Sequence, residues 1–215
     1  MKVIAVNGSP RKSWNTATLL DKALEGATSV GASTDMVHLY DLKYRGCTSC
    51  FICKRKDNKH NGLCAMKDGL TDVLEKIIEC NVLFLGSPIY LGNTAGAMCS
   101  FLERLLFPMA SYDLGRSTIF EGKMSSGFIY TMNGPKAYAR LKNYKAIFNR
   151  NKQCLQRLNG PSEVLVSYDT YQFIDYSIYK ASKFDEKHKA KVKAKQFPID
   201  CKKAFDLGAR LAGSY

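Results

Sequence analysis

The sequence has no apolar run of the roughly 20 residues needed to cross a bilayer. The apolar run inside its opening segment, "MKVIAVNGSP", is too short for a signal peptide and has no cleavage site. A cytoplasmic protein with no membrane partner is therefore expected. Histidine is scarce: His38, His60 and His188 are scattered and form no cluster. His38 is expected within a strand, and His60 and His188 in solvent. Acidic residues are few, 19 against 32 lysines and arginines, giving a net charge of +13. That field favours anionic partners. It would also suit nucleic acid, but the sequence carries no helix-turn-helix, zinc-finger or RNA-binding signature, so no nucleic-acid partner is expected. The basic excess peaks in residues 179–195, read either as a solvated helix or as an electrostatic docking surface. Repeats, low-complexity tracts and linkers are all missing. The 215 residues, 46% hydrophobic, are expected to form one domain with its own core. In a reducing compartment the eight cysteines are poor disulfide candidates.

What is present is an alternation of periods. Residues 2–9, "KVIAVNGS", open as a β-rich apolar run and close in turn residues, the pattern of a buried strand entering a loop. Leu19, Leu20, Ala23, Leu24 and Ala27 share one helical face, with Gly31 as the expected stop. Residues 34–42 alternate like a second strand. Asp68 is expected to cap a helix carrying the stripe Leu70, Val73, Leu74, Ile77 and Ile78. Residues 81–90 are apolar on both faces, as a central parallel strand requires. A helix over 94–107 should stop before Pro108. Residues 124–132 and 163–168 supply the fourth and fifth strands, with a helix over 136–158 between them. Ser182 and Asp185 form a capping box for the lysine-rich helix, and Pro198 fits the first turn of a last helix ending near Gly213. Strands alternating with helices mean parallel βαβ units with helices on both faces of the sheet. The expected organisation is a single domain over 1–215, with a cysteine-containing insert at 43–66 and a helical extension at 182–213. Residues 168–179 are irregular and rich in tyrosine.

Two loops carry chemistry. After the first strand comes "NGSPRKSWNTATLL". Asn7 and Gly8 allow a sharp turn; Ser9, Ser13, Asn15 and Thr16 offer short hydrogen-bonding groups; Arg11 offers a fixed charge with fork geometry. The following helix start turns its free N–H groups toward the loop, which makes an anion site. Neither G-x-G-x-x-G nor a P-loop is present, which disfavours a dinucleotide fingerprint and nucleotide hydrolysis. An ordinary capped helix start is the alternative reading of this loop. The third strand ends in "SPIYLGN". Pro88 stiffens that turn, Gly92 permits close backbone approach, and Ile89, Tyr90 and Leu91 offer surface for a planar ring. Asn93 closes the turn. Thr131 and Asn133, at the end of the fourth strand, are candidates for a third side of the site.

"GSPRKSWNT" followed by "GSPIYLGNTAGAMCSFLERL" resembles the flavodoxin-like NAD(P)H-dependent FMN reductases, over roughly residues 1 to 135. The cysteine segment is similar to the branch that includes the iron–sulfur flavoproteins. The resemblance implies a three-layer α/β/α sandwich with a five-stranded parallel sheet, order 2-1-3-4-5, and a ligand at the β1/β3 switch point. It implies that Ser9, Arg11, Ser13, Asn15, Thr16 and Ala17 hold the FMN phosphate. Trp14 stands where the family commonly has a small residue. The implied chemistry is hydride transfer from NAD(P)H to flavin, then delivery to a quinone, free flavin or similar acceptor, with no catalytic side chain. Family members often place the insert and nearby aromatics at subunit contacts, which implies a homodimer or homotetramer here.

Cys47, Cys50, Cys53 and Cys64 read C-x2-C-x2-C-x10-C. Three thiolates at that spacing can wrap one face of a [4Fe–4S] cluster, with a distant fourth completing it. Zinc prefers two separated C-x2-C pairs. Lys54, Arg55 and Lys56 would favour thiolate. In the alternative reading the segment is helical and its cysteines are core packing or redox thiols. A cluster would make the protein an electron-transfer iron–sulfur flavoprotein with a ferredoxin partner. A basic nucleic-acid-binding protein is the third, least supported reading.

Overall fold

The computed structural model describes residues 1–57 and 62–215. His60 lies outside the described residues. Strand β1 (Lys2–Asn7) is buried along nearly its whole length because it has a neighbour on each side and helices on each face. Its residues divide by the period of two. Val3 and Ala5 join a core with Leu19, Leu20, Leu207 and Leu211. Ile4 and Val6 join a second core with Leu74, Ile77, Phe101 and Phe128. Helices α1 (Asn15–Thr28) and α6 (Glu186–Ala212) supply the first layer. Helices α2 (Thr71–Ile78), α3 (Gly96–Met109), α4 (Lys136–Leu141) and α5 (Tyr144–Leu155) supply the other.

The sheet runs β2 (Ser33–His38), β1, β3 (Val82–Tyr90), β5 (Met124–Thr131) and β6 (Asn159–Ser167), every pairing parallel. This is the expected 2-1-3-4-5 order. It differs only by a two-residue strand, β4 (Asn93–Thr94), which folds back antiparallel on the end of β3. The fold is the flavodoxin-like α/β sandwich. Helices α1 and α6 meet backbone to backbone: a Cβ on Gly208 would lie 1.8 Å from the Ala23 carbonyl, and one on Gly26 would lie 2.0 Å from the Phe205 carbonyl. Any side chain at either position would push the helices apart.

Several boundaries differ from the sequence pattern. Strand β2 stops at His38, where one 3-10 turn (Leu39–Asp41) sends Leu39 into the core. Helix α3 runs through Pro108, which falls in its last turn; Lys54 Nζ donates to the carbonyls of Phe107, Pro108 and Ala110 at the helix end. The expected helix over 136–158 breaks at Asn143, which takes a left-handed φ of 51°. The two helices expected at the end of the chain are one. Helix α6 continues through Pro198, because Lys189 in its first half and Leu207 and Leu211 in its second are all buried on the same side of the sheet. Its cap is Asp185, whose Oδ1 accepts the His188 N–H at 3.2 Å; Ser182 takes no part. Asp68 does not cap α2, whose N-cap position is Leu70, but accepts the Leu70 N–H and pairs with Arg104.

Candidate functional site

Strands β1, β3 and β5 end at one edge, and three loops leave it. The first is shaped by its own side chains. Asn7 Oδ1 accepts the Ser9 N–H (2.9 Å), and Ser9 Oγ accepts the Arg11 N–H (3.2 Å). The Gly8 N–H donates to the Gly86 carbonyl (2.8 Å), fastening this loop to β3. Thr16 and Thr131, both buried, share a 2.8 Å hydroxyl hydrogen bond that fastens α1 to the end of β5. Trp14 occupies the N-cap of α1 in extended backbone, and its side chain offers no cap to the helix. The alternative reading, an ordinary side-chain-capped helix start, is therefore not what forms. The first N–H groups of α1 are left to other acceptors, the electrostatic setting of an anion site.

The bulk of Trp14 leaves this loop intact because the indole packs sideways. Its Nε1–H donates to the Tyr171 carbonyl at 3.1 Å, with Arg11 at 5.3 Å and Lys193 at 5.9 Å from the ring centre. Asn15 Nδ2 donates to the same carbonyl (2.8 Å), and Arg11 Nη1 to that of Gln172 (2.5 Å). The tyrosine-rich segment after β6 thus lies against the first loop.

The second loop is the β3–β4 hairpin. Leu91 takes a left-handed φ of 49° and its side chain is fully exposed; Tyr90 is about half exposed (49%). Between the loops opens a cleft of about 490 Å³, within the range of small-molecule sites. Of the residues singled out from sequence, Ser9, Arg11, Asn15, Thr16, Pro88, Ile89, Tyr90, Leu91, Thr131 and Asn133 line it. Four others do not. Ser13 is exposed on the outer turn. The Ala17 side chain is in the core. Gly92 has φ of 85°, and a Cβ there would meet the Tyr144 ring at 3.3 Å, so a turn and an aromatic neighbour explain it. Asn93 Oδ1 is used by the Thr94 N–H. Sequence reasoning missed Met132, Thr170, Tyr171, Gln172 and Phe184 as cleft residues. The one signal, for Thr170, Tyr171 and Gln172, was the tyrosine-rich composition of 168–179.

The third loop is locked from behind. Buried Lys189 donates to the Asn133 carbonyl and pairs with Asp169, whose other oxygen meets His188 Nε2 at 2.6 Å. Burial opposes ionisation of Asp169, but Lys189 and His188 outweigh it and hold the carboxyl below its usual range. His188 is thus a paired group rather than a merely solvated one. Asn133 Oδ1, buried at the cleft wall, has no hydrogen-bond donor among the described residues. The residues fit FMN: a helix start and Arg11 for the phosphate, apolar surface at Ile89–Leu91 for the ring, and a spare acceptor at Asn133.

Cys47, Cys50, Cys53 and Cys64 line a single small pocket beside Arg104 and Phe107. The segment is not the helix that the packing reading required. Ser49 and Phe51 have positive φ, and only one 3-10 turn forms (Ile52–Lys54). Of the three basic residues, Lys54 is spent on the α3 terminus and Arg55 on Asp57. Burial pushes the Cys53 thiol up, against the pull of Lys54. Among the described residues, no three His, Cys, Asp or Glu side chains converge as a metal-ion site. The free space is about 10 Å³, room for one water at most. The donor set suits a thiolate-ligated cluster in chemistry, although the space is not preformed. Cys80 is buried, its thiol pushed up to about 12 by burial; Cys99, Cys154 and Cys201 are half-buried.

An iron–sulfur flavoprotein of Archaeoglobus fulgidus is 33% identical over 142 residues, covering 66% of this chain and 65% of that protein. A second, from Methanocaldococcus jannaschii, is 33% identical over 104 residues, 48% of this chain and 51% of that one. The chain thus spans from about half to just under two thirds of these relatives. The NAD(P)H:quinone oxidoreductase of Methanothermobacter marburgensis has the same fold, with a TM-score of 0.69 at 13% identity, covering 98% of this chain and 96% of that one. Residues 1–144, which contain the loops after β1, β3 and β5, match the family described as NADPH-dependent FMN reductase, and the chain belongs to that family.

Proposed function

We propose that the chain binds FMN in the cleft and passes electrons from NAD(P)H to a quinone, a free flavin or a similar small acceptor. The observation that carries this reading is the pairing at one sheet edge of an uncapped helix start with a hairpin of exposed apolar residues. Ser9, Arg11, Asn15 and the N–H groups of Thr16 and Ala17 hold the phosphate; Ser13 reaches it only by a turn of the loop. Pro88, Ile89, Tyr90 and Leu91 support the ring, and the Asn133 Oδ1 accepts from its polar edge. Gly92 and Asn93 shape the hairpin. Bound FMN supplies the hydride chemistry. The chain orients the ring and excludes water, and no side chain serves as nucleophile or general acid. The test is fluorescence titration with FMN, followed by NADPH oxidation with a quinone. A protein that neither quenches FMN fluorescence nor gains melting temperature from it overturns the reading.

A second reading is favoured by the four cysteines lining one pocket: an iron–sulfur flavoprotein exchanging electrons with a ferredoxin-like partner. Cys47, Cys50, Cys53 and Cys64 would hold the cluster, which would supply one-electron transfer. A visible spectrum and iron assay after anaerobic purification separate the two readings.

Exposed Ile174 and Ile178, in the segment walling the cleft, support a homodimer or homotetramer, checked by light scattering. Among the described residues, no helix is long and apolar enough to cross a membrane. A single-domain cytoplasmic protein without a nucleic-acid partner completes the proposal.

A further inference from the structure

Arg104 is the largest fully buried side chain among the described residues. A guanidinium carries five N–H donors. Four are accounted for. Nη1 donates to the Arg45 carbonyl (2.9 Å) and Asp68 Oδ2 (2.7 Å), and Nη2 donates to the Met66 carbonyl (3.1 Å) and Asp68 Oδ1 (3.2 Å). The fifth, on Nε, has no acceptor in hydrogen-bonding geometry among the described residues. A buried charged donor left in that state is costly and asks for an explanation. Loop fastening explains the Nη contacts and leaves Nε unexplained.

The surroundings supply one. Arg104 lines the same pocket as Cys47, Cys50, Cys53 and Cys64. Burial opposes the guanidinium charge, while Asp68 and then the Cys64 sulfur help to hold it. A neutral thiol is a weak acceptor, so the guanidinium gains little from it. A thiolate bound to iron is a strong acceptor, and a cluster with four thiolates carries net negative charge.

We propose that Arg104 is the built-in partner of a cluster held by the four cysteines, with its Nε–H donating to the Cys64 sulfur once that sulfur is an iron ligand. The inference rests on the iron–sulfur reading above and adds a tuning residue to it. Hydrogen bonds to cluster sulfur and nearby positive charge raise a cluster's reduction potential. Arg104 therefore favours the reduced state and retains the cluster in the pocket.

The test starts from anaerobic reconstitution of the full chain with ferrous iron and sulfide. Iron and FMN content are measured first, then the midpoint potential by redox titration followed by electron paramagnetic resonance. The comparison is with Arg104→Lys, which keeps the charge facing Asp68 but has no Nε donor. The variant should bind FMN as before, and its one-electron reduction equilibrium should fall about tenfold, or about 59 mV. Should Arg104→Lys fail to fold, the wild type decides: with 15N-arginine labelling, one Nε–H resonance must acquire a paramagnetic shift on loading. A wild type that takes up no iron overturns the cluster reading and this inference with it. A loaded wild type whose arginine Nε–H signals stay in place, or an unshifted potential in folded Arg104→Lys, overturns the role of Arg104 alone.

Discussion

The loop after β1 and the segment between β2 and α2 lead away from neighbouring strands, yet they hold their shape by opposite means. The first is shaped by local bonds, Ser9 N–H to Asn7 and Arg11 N–H to Ser9, and these sit beside tethers from Gly8 to β3 and from Arg11, Trp14 and Asn15 to residues 171–172. The cysteine segment has few such local supports. Its anchors are distant in sequence: the Cys47 N–H on Glu103, Lys54 on the end of α3, and Asp68 on Arg104. One loop takes much of its shape from its own side chains, the other from a helix it must find. Local damage should therefore disable the first without unfolding it, while damage to α3 should loosen the second and cost stability.

The largest expected effect breaks the distant anchor. Arg104→Leu strands Asp68 in a partly buried site, and losing one partner of a buried pair costs about 3–5 kcal/mol. Urea denaturation should show that loss. Hydrogen exchange in the folded fraction should rise over residues 43–68 while FMN affinity holds. Exchange that rises equally in the β1 loop would erase the contrast between the two regions.

Next is Arg11→Ala. A hydrogen bond to a charged group contributes about 1.5–3 kcal/mol, so FMN binding should weaken on the order of 10- to 100-fold. The unfolding midpoint should barely move. Fluorescence titration checks the affinity; if it is unchanged, the phosphate is held elsewhere. Thr16→Val should be milder. It removes one of two paired buried hydroxyls and leaves Thr131 unsatisfied, at about 1–3 kcal/mol of stability. The cleft should widen and FMN affinity drop less than in Arg11→Ala.

The smallest effect is a pH dependence. Burial disfavours the charged forms of Asp68 and Asp169, yet both sit below their ordinary 3.8 because of Arg104 in one case and Lys189 and His188 in the other. A carboxyl depressed in the folded state stabilises it above 3.8, and that contribution disappears as pH falls through the lower folded value. Melting temperature should therefore be level near neutrality and decline below pH 3.8. The decline should be shallower in Asp169→Asn than in wild type; a wild-type-like slope would show that Asp169 is not a linked group.

The same division governs what could be read from sequence. The strands, the helical layers and most of the cleft follow from local patterns: a β-rich apolar run in β1, a continuous apolar run in β3, and turn residues after each; the sheet order is implied by the family resemblance alone. Pro198 misled because tertiary burial of both halves of α6 outweighs one lost backbone bond. Tyr171 and Gln172 escaped because their part in the cleft is played by backbone carbonyls, which any residue type supplies. Arg104 gave no signal either. An arginine among Phe101, Leu105 and Leu106 reads as the polar edge of a helix until the fold brings Asp68 and the cysteines to it.

Arg11, Trp14 and Asn15 all donate hydrogen bonds to the carbonyls of Tyr171 and Gln172. An arriving phosphate must therefore compete with acceptors belonging to the same molecule, and uptake becomes an exchange in which the 171–172 segment first lets go. In stopped flow, the loading rate should climb with FMN concentration and then level off at the speed of that release. Shortening the side chain at Trp14 should raise the plateau.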